Sequence, residues 1–142
     1  VDLGTKPPEW GKAVVRRHGD DIVIVTYSRQ LHYALQAAGE LEKYGIEATV
    51  IDLRTLNPLD FSTIGEEVQR VGKAMVVSEG AMTCGVAAEL GARISEECFD
   101  FLTDPVVRLA GEDIPISVNA NLEEHSVPTP ALIVETAKRM LG

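Results

Sequence analysis

Asp21-Ile22-Val23-Ile24-Val25-Thr26-Tyr27 is a nearly unbroken β-branched run. A strand wetted on one face alternates apolar with polar residues. A run without alternation belongs to a strand covered on both faces, as in parallel sheets. Immediately downstream the period changes from two to that of a helix. Leu31, Ala34, Leu35, Ala38 and Leu41 share one face, with Ser28 placed to cap the start and Gly45 to end it. Ala48-Thr49-Val50-Ile51-Asp52-Leu53 returns to strand character. Pro58 and Asp60 then open a second helix with Phe61, Ile64, Val68 and Val71 inward and Gly72 beyond. Ala74 to Val77 is a third such strand. Ala87, Leu90, Ile94, Cys98 and Phe101 recur at helical spacing and predict a stripe buried against the sheet. Val106-Val107-Arg108-Leu109 follows as a strand. After a turn-rich stretch, Thr129-Pro130 supplies an N-cap and first-turn proline for a last helix bearing Ile133, Ala137, Met140 and Leu141.

Upstream of the opening run, Lys12-Ala13-Val14-Val15-Arg16-Arg17 is a further short strand, closed by His18-Gly19-Asp20. So short a glycine-containing connection predicts a hairpin, with the first strand antiparallel to the second and paired with it. Residues 1–11, with Pro7-Pro8 and Trp10-Gly11, read as a linker from a preceding domain, leaving 12–142 as one α/β domain. Alternating strands and helices require right-handed crossovers. The expected fold is a three-layer α/β/α sandwich around a mostly parallel sheet of about five strands, one of them antiparallel.

Composition narrows the function. Thirteen basic against twenty-two acidic residues give a net charge of −9, which argues against a phosphate-binding surface and so against nucleic acid. It favours a basic protein partner. No apolar run approaches the roughly 18 residues needed to span a membrane. The N-terminal Val1 to Lys6 has neither a basic leader nor an apolar signal core, so the expected compartment is the cytoplasm, or the mitochondrial matrix in a eukaryote. Cys84 and Cys98 form no disulfide framework or zinc pattern; Cys98 falls on a helix stripe as a small buried hydrophobe, and Cys84 sits in a glycine-flanked turn.

The carboxyl ends of parallel strands are where ligands gather. Here those ends read Tyr27-Ser28-Arg29, Arg54-Thr55-Leu56-Asn57, Ser78-Glu79-Gly80 and Gly111-Glu112-Asp113. The second is the most polar and the most suggestive of a binding loop, though strand-end turns are polar in any such domain, and none carries a nucleotide fingerprint. Gly80 to Gly85 has the glycine spacing of a phosphate loop, but Val86-Ala87 stands where Lys-Ser/Thr would grip phosphate and magnesium, so Gly85 is assigned to a tight turn into a helix. His18, His32 and His125 lie far apart without metal-ligand spacing. Ser28 and Ser78 lack a nucleophile elbow. Glu96-Glu97 reads as a solvated helix surface. From the residues alone, no catalytic, cofactor-binding or metal-binding residue is assigned.

Val50-Ile51-Asp52-Leu53-Arg54-Thr55-Leu56-Asn57-Pro58-Leu59-Asp60 resembles a signature of the beta subunits of thiamine-diphosphate-dependent 2-oxoacid dehydrogenases. Val25-Thr26-Tyr27, Val76-Val77-Ser78-Glu79-Gly80, Ala88-Glu89-Leu90, Phe99-Asp100-Phe101-Leu102 and Asp104-Pro105-Val106-Val107-Arg108 fall in the same order and spacing. Ala110-Gly111-Glu112-Asp113-Ile114-Pro115 and Ala120-Asn121-Leu122-Glu123 look most like the pyruvate dehydrogenase type, with acetoin and branched-chain types near alternatives. Thr83-Cys84-Gly85-Val86-Ala87 and Ile116-Ser117-Val118 depart from the family's usual text.

The matching region is the transketolase C-terminal domain, from roughly Gly11 to Leu141. The resemblance implies a non-catalytic assembly domain that packs across a two-fold axis, with thiamine diphosphate and magnesium held by other domains and by the alpha subunit. It also implies docking of the lipoyl acyltransferase's basic subunit-binding domain on the loop after the third helix. There Asp100, Thr103 and Asp104 are the candidate partner-binding residues; Thr103 stands at the family's acidic position, and Asp104 beside it either supplies the charge or caps the turn before Pro105. An independent nucleotide- or flavin-binding α/β domain is a second possibility. The same domain of a transketolase or 2-oxoacid:ferredoxin oxidoreductase is a third.

Overall fold

A computed structural model describes residues 9–114 and 126–142. The expected turn-rich stretch therefore lies largely outside the described residues, as do Pro7-Pro8 and His125. Among the described residues the elements are, in order, β1 (Val14–Arg17), β2 (Ile22–Thr26), α1 (Arg29–Glu42), β3 (Ala48–Asp52), α2 (Phe61–Val71), β4 (Ala74–Ala81), α3 (Val86–Glu97), a 3-10 turn (Phe99–Phe101), β5 (Val107–Gly111) and α4 (Pro130–Leu141). The strands form one sheet in the order β1-β3-β2-β4-β5, parallel except for β1.

The unbroken β-branched run forms the central strand. Every residue of β2 is buried, and β2 pairs in parallel with β3 (Ile22 opposite Ala48, Thr26 opposite Asp52) and with β4 (Val23 opposite Ala74). Alternate side chains feed two cores. On one face Ile22 and Ile24 meet Ala34, Ala38 and Leu41 of α1 and Ile133 and Ala137 of α4. On the other, Val23 and Val25 meet Ile64 and Val68 of α2 and Leu90 and Ile94 of α3. These are the three expected layers.

The hairpin expectation is wrong in pairing, though the antiparallel sense holds. β1 pairs with β3, Val14 opposite Asp52 and Val15 opposite Ile51, and β3 separates it from β2. Charge explains the placement: Arg16 and Arg17 suit an edge strand, while β2 and β3 need neighbours on both sides. The connection passes under the start of β3. Gly19 donates its N–H to Thr49 Oγ1 at 2.9 Å and accepts from that hydroxyl at 2.6 Å. Asp21 and Glu47 exchange two further bonds. Arg70 of α2 clamps the crossing from outside, bonding Gly19 O, Thr49 Oγ1, Asp20 and Glu67.

Two smaller expectations also fail. Ser28 occupies the N-cap position of α1 but makes no side-chain cap bond, because its backbone sits at φ 57, ψ −138 and not in the extended region a capping serine uses. Phe101 is not buried: it is 49% exposed. α3 ends at Glu97, Cys98 turns the chain (φ −117, ψ 15), and the tighter 3-10 winding carries Phe101 off the stripe that Leu90, Ile94 and Cys98 keep buried.

Candidate functional site

Because α1 leaves β2 toward one face and α3 leaves β4 toward the other, the switch-point crevice lies between the carboxyl ends of β2 and β4. Protein groups occupy that crevice. Arg29 Nη2 pairs with Glu79 Oε2 at 3.1 Å across it. Burial pushes the Tyr27 phenol above its usual range; the neighbouring Ser78 hydroxyl works against this and the Glu79 charge adds to it. Ser78 Oγ itself is buried and near enough to influence Tyr27, yet meets no partner at hydrogen-bond geometry. An ion pair bridging the switch point ties the two halves of the sheet together where many α/β proteins leave room for a ligand.

The other strand ends are equally self-contained. Asp52 Oδ2 accepts from Nε (3.1 Å) and Nη2 (2.8 Å) of Arg16, and its Oδ1 accepts the Arg54 N–H. Asp60 is buried, which raises its pKa, but bonds from Ser62, Thr63 and the Ala13 N–H, with the Lys12 charge, outweigh that and hold the carboxyl below its ordinary value. Thr83 donates twice to Asp113, at 2.9 and 2.6 Å, and so lowers its pKa. A Cβ on Gly85 would collide with the Ala81 carbonyl oxygen, so this glycine serves close packing at the start of α3. Among the described residues no group of three or more His, Cys, Asp and Glu gathers as a metal set. His32 is exposed, and exposed His18 lies 3.8 Å from Glu67. Cys84 is exposed; Cys98 is buried, and burial, with Glu97 nearby, raises its thiol pKa.

The loop after α3 divides its three candidate residues. Asp104 bonds Lys73 at the start of β4, and Thr103 Oγ1 donates to it at 2.8 Å. The Lys73 contact first, and Thr103 second, hold the Asp104 carboxyl low. The Thr103 N–H donates to Gly72 O at 2.9 Å, so these two residues fasten the loop to the end of α2. Asp100 is separate. It is exposed on the 3-10 turn between Phe99, 75% exposed, and Phe101. Ser95, Phe99, Asp100, Leu102 and Pro105 line a groove of about 580 Å³. Sequence reading missed the exposed phenylalanines because Phe101 continues the helical spacing. The Phe-Asp-Phe alternation directly after the helix was the available signal.

Likeness to known proteins agrees with this geometry. A family profile, transketolase C-terminal domain, matches residues 11–133. The chain is 43% identical over 129 residues to the mitochondrial pyruvate dehydrogenase E1 component subunit beta-2 of Oryza sativa subsp. japonica, covering 91% of this chain and 34% of that protein. It is 46% identical over 133 residues to the 2-oxoisovalerate dehydrogenase subunit beta of Bacillus subtilis, covering 93% of this chain and 40% of that protein. The chain thus spans well under half the length of these relatives. Among solved structures, a split-gene transketolase in the form of an inactive beta4 tetramer superposes with a TM-score of 0.81 at 28% identity, over 94% of this chain and 43% of that one. A 2-oxoglutarate:ferredoxin oxidoreductase from Magnetococcus marinus shares the fold, with a TM-score of 0.60 at 14% identity over 92% of this chain and 19% of that one.

Proposed function

The chain belongs to the transketolase C-terminal domain family, and from that premise we propose that it is the assembly and docking domain of the beta subunit of a thiamine-dependent 2-oxoacid dehydrogenase. The whole enzyme decarboxylates a 2-oxoacid oxidatively and passes the acyl group to a lipoyl arm. The observation that carries this is an alignment running through nine-tenths of the chain to pyruvate dehydrogenase beta subunits, of which it matches about a third. The strand ends support it, because the crevice that would hold a ligand is spanned by Arg29 and Glu79. Thiamine diphosphate and magnesium then sit in companion domains and the alpha subunit, and this chain alone is inactive. The test is reconstitution of the complete beta subunit with its alpha partner: acylation of a lipoyl acceptor from a 2-oxoacid is expected, and its absence with every 2-oxoacid tried refutes the assignment.

Pyruvate is the first substrate to try. The 46% identity to a 2-oxoisovalerate dehydrogenase subunit favours a second reading, a branched-chain substrate, and relative turnover of pyruvate and 2-oxoisovalerate decides between them. The beta4 tetramer of the split-gene transketolase supports contact between copies of this domain across a two-fold axis, where one patch serves both copies. Sedimentation equilibrium of the beta subunit tests that contact.

For the acyltransferase's basic subunit-binding domain, Asp100 between Phe99 and Phe101 offers a free carboxylate flanked by apolar anchors. Thr103 and Asp104 position that turn through Gly72 and Lys73. In the assembled enzyme, Asp100→Asn is expected to weaken binding of that domain and flatten its salt dependence, and Asp104→Asn to act less. Equal, unchanged affinities would move docking elsewhere. A cytoplasmic or mitochondrial-matrix setting goes with this function. Among the described residues no helix is long and apolar enough to cross a membrane.

A further inference from the structure

At the corner of the carboxyl edge where β1 begins and β3 ends, one cation has been left without a counter-charge. The backbone of Arg54 is left-handed (φ 59), a conformation few non-glycine residues adopt. Its N–H is held by Asp52 Oδ1, but its half-buried guanidinium meets no carboxylate or hydrogen-bond acceptor among the described residues. The two carboxylates of this corner are already engaged, Asp52 by Arg16 and Asp60 by Ala13, Ser62 and Thr63. Two residues along the same turn, Leu56 is 40% exposed, and Trp10, the single tryptophan of the chain and the neighbour of Gly11, is 76% exposed. The two segments are locked together: Gly11 sits directly against the Pro58 ring, and the Ala13 N–H reaches Asp60. These links bring an exposed aromatic ring, an exposed aliphatic side chain and an unmatched arginine to one corner of a chain whose net charge is −9.

We propose that this patch of Trp10, Arg54 and Leu56 is an interdomain docking surface, and that its occupant is a carboxylate-bearing face of the companion cofactor-binding domain. Tryptophan and arginine are the residue types that dominate protein contacts, and a planar guanidinium selects a carboxylate in a fixed orientation. Acidity elsewhere on the chain repels an acidic face, so a cationic corner beside apolar side chains favours where such a partner can sit. The occupant follows from extent: the relatives continue well beyond the third to two-fifths that this chain matches, and the segment carrying Trp10 enters the domain at this corner. Among the described residues, Glu9, exposed next to Trp10, is the neighbouring carboxylate in a position to compete for Arg54.

This inference rests on the proposed function only in supposing a companion domain. Hydroxyl-radical footprinting of the complete alpha–beta enzyme, without acyltransferase, tests it. Trp10 and Phe99 are nearly equally exposed on this chain, so Phe99 is the internal reference. Trp10 is expected to lose most of its labelling while Phe99 keeps it. Arg54→Gln and Arg54→Glu should restore Trp10 labelling with thermal melting unchanged, and Arg54→Lys should restore it partly. Full labelling of Trp10 in the wild-type enzyme overturns the proposal, as does a Glu9→Gln variant that reproduces the Arg54→Gln result. Turnover of a 2-oxoacid with Trp10 fully labelled would remove this inference and leave the proposed function; a protected Trp10 without turnover would do the reverse.

Discussion

Replacing Gly19 by alanine probes the least expected feature of the fold, the passage of the β1–β2 connection beneath the start of β3. A Cβ built at Gly19 lies 2.5 Å from the Glu47 carbonyl oxygen and 2.6 Å from the Ala48 nitrogen. Both are backbone atoms, so no side chain can swing aside. Overpacking of this kind costs about 1–3 kcal/mol. Any shift that relieves it also stretches the two bonds between Gly19 and the Thr49 hydroxyl, each worth about 0.5–1.5 kcal/mol. The expected loss is therefore about 2–6 kcal/mol. Urea denaturation of the chain reads it as a lower midpoint with the slope unchanged. Gly39, inside α1 with nothing within 4 Å of its would-be Cβ, is the control; alanine there should stabilise by about 0.5–1 kcal/mol. A Gly19→Ala cost below about 0.5 kcal/mol, the range of an ordinary surface change, would mean that β3 does not lie against this turn.

Leu90→Ala, emptying a side chain buried between α3 and the sheet, should cost about 2–5 kcal/mol by denaturation, and a negligible change would place that face elsewhere. Asp60→Asn should cost about 1.5–3 kcal/mol near neutral pH, where the ionised carboxylate collects three hydrogen bonds. Because the folded-state pKa of Asp60 is depressed, its contribution is complete above the unfolded-state value and disappears as pH falls through the folded one, so the gap between wild type and variant should close in acid. A gap independent of pH would mean that the charge is not involved. The chain alone should show no heat of binding with thiamine diphosphate and magnesium by titration calorimetry; micromolar affinity, on the order of −8 kcal/mol, would refute its assignment as an assembly domain.

The sheet was legible wherever a strand or helix declares itself by period. β2 and β3 have no polar alternation and are buried throughout; Ala34, Ala38 and Leu41 line the face predicted for them. What escaped was pairing and turn geometry. A short link between two strands suggests a hairpin whatever lies nearby in space, and only the competition of β3 for the edge of β2 overrules it. The text of a sequence holds no record of that competition except obliquely, in Arg16 and Arg17, whose charges suit a strand with one open side. Phe101 failed for a related reason: spacing continues across a helix end, but the switch from α to 3-10 winding at Cys98 does not appear in it.

For the candidate docking loop, the sequence names the segment and its acidic residues but not which of them faces outward. Which acidic residue of the 100–104 loop is available depended on a partner 31 positions before Asp104, Lys73, which occupies Asp104 and leaves Asp100 to face outward. Arg54 showed in the sequence only as part of the polar 54–57 turn, the strand end most suggestive of a binding loop. It stands inside the phrase that carries the family resemblance, so it reads as part of a strand-to-helix turn. Its functional interest arises only when every other cation near it is seen to have a partner: Lys12 with Asp60, Arg16 with Asp52, Arg29 with Glu79. A charge is conspicuous by the absence of its match, which is a property of three-dimensional neighbourhoods. An assembly domain should therefore betray its contacts through unmatched groups on a rigid surface, where an enzyme domain betrays its site through convergent ones in a cleft. Among the described residues, Arg54 near the exposed Trp10 and Asp100 beside Phe99 combine such an unmatched charge with exposed apolar surface.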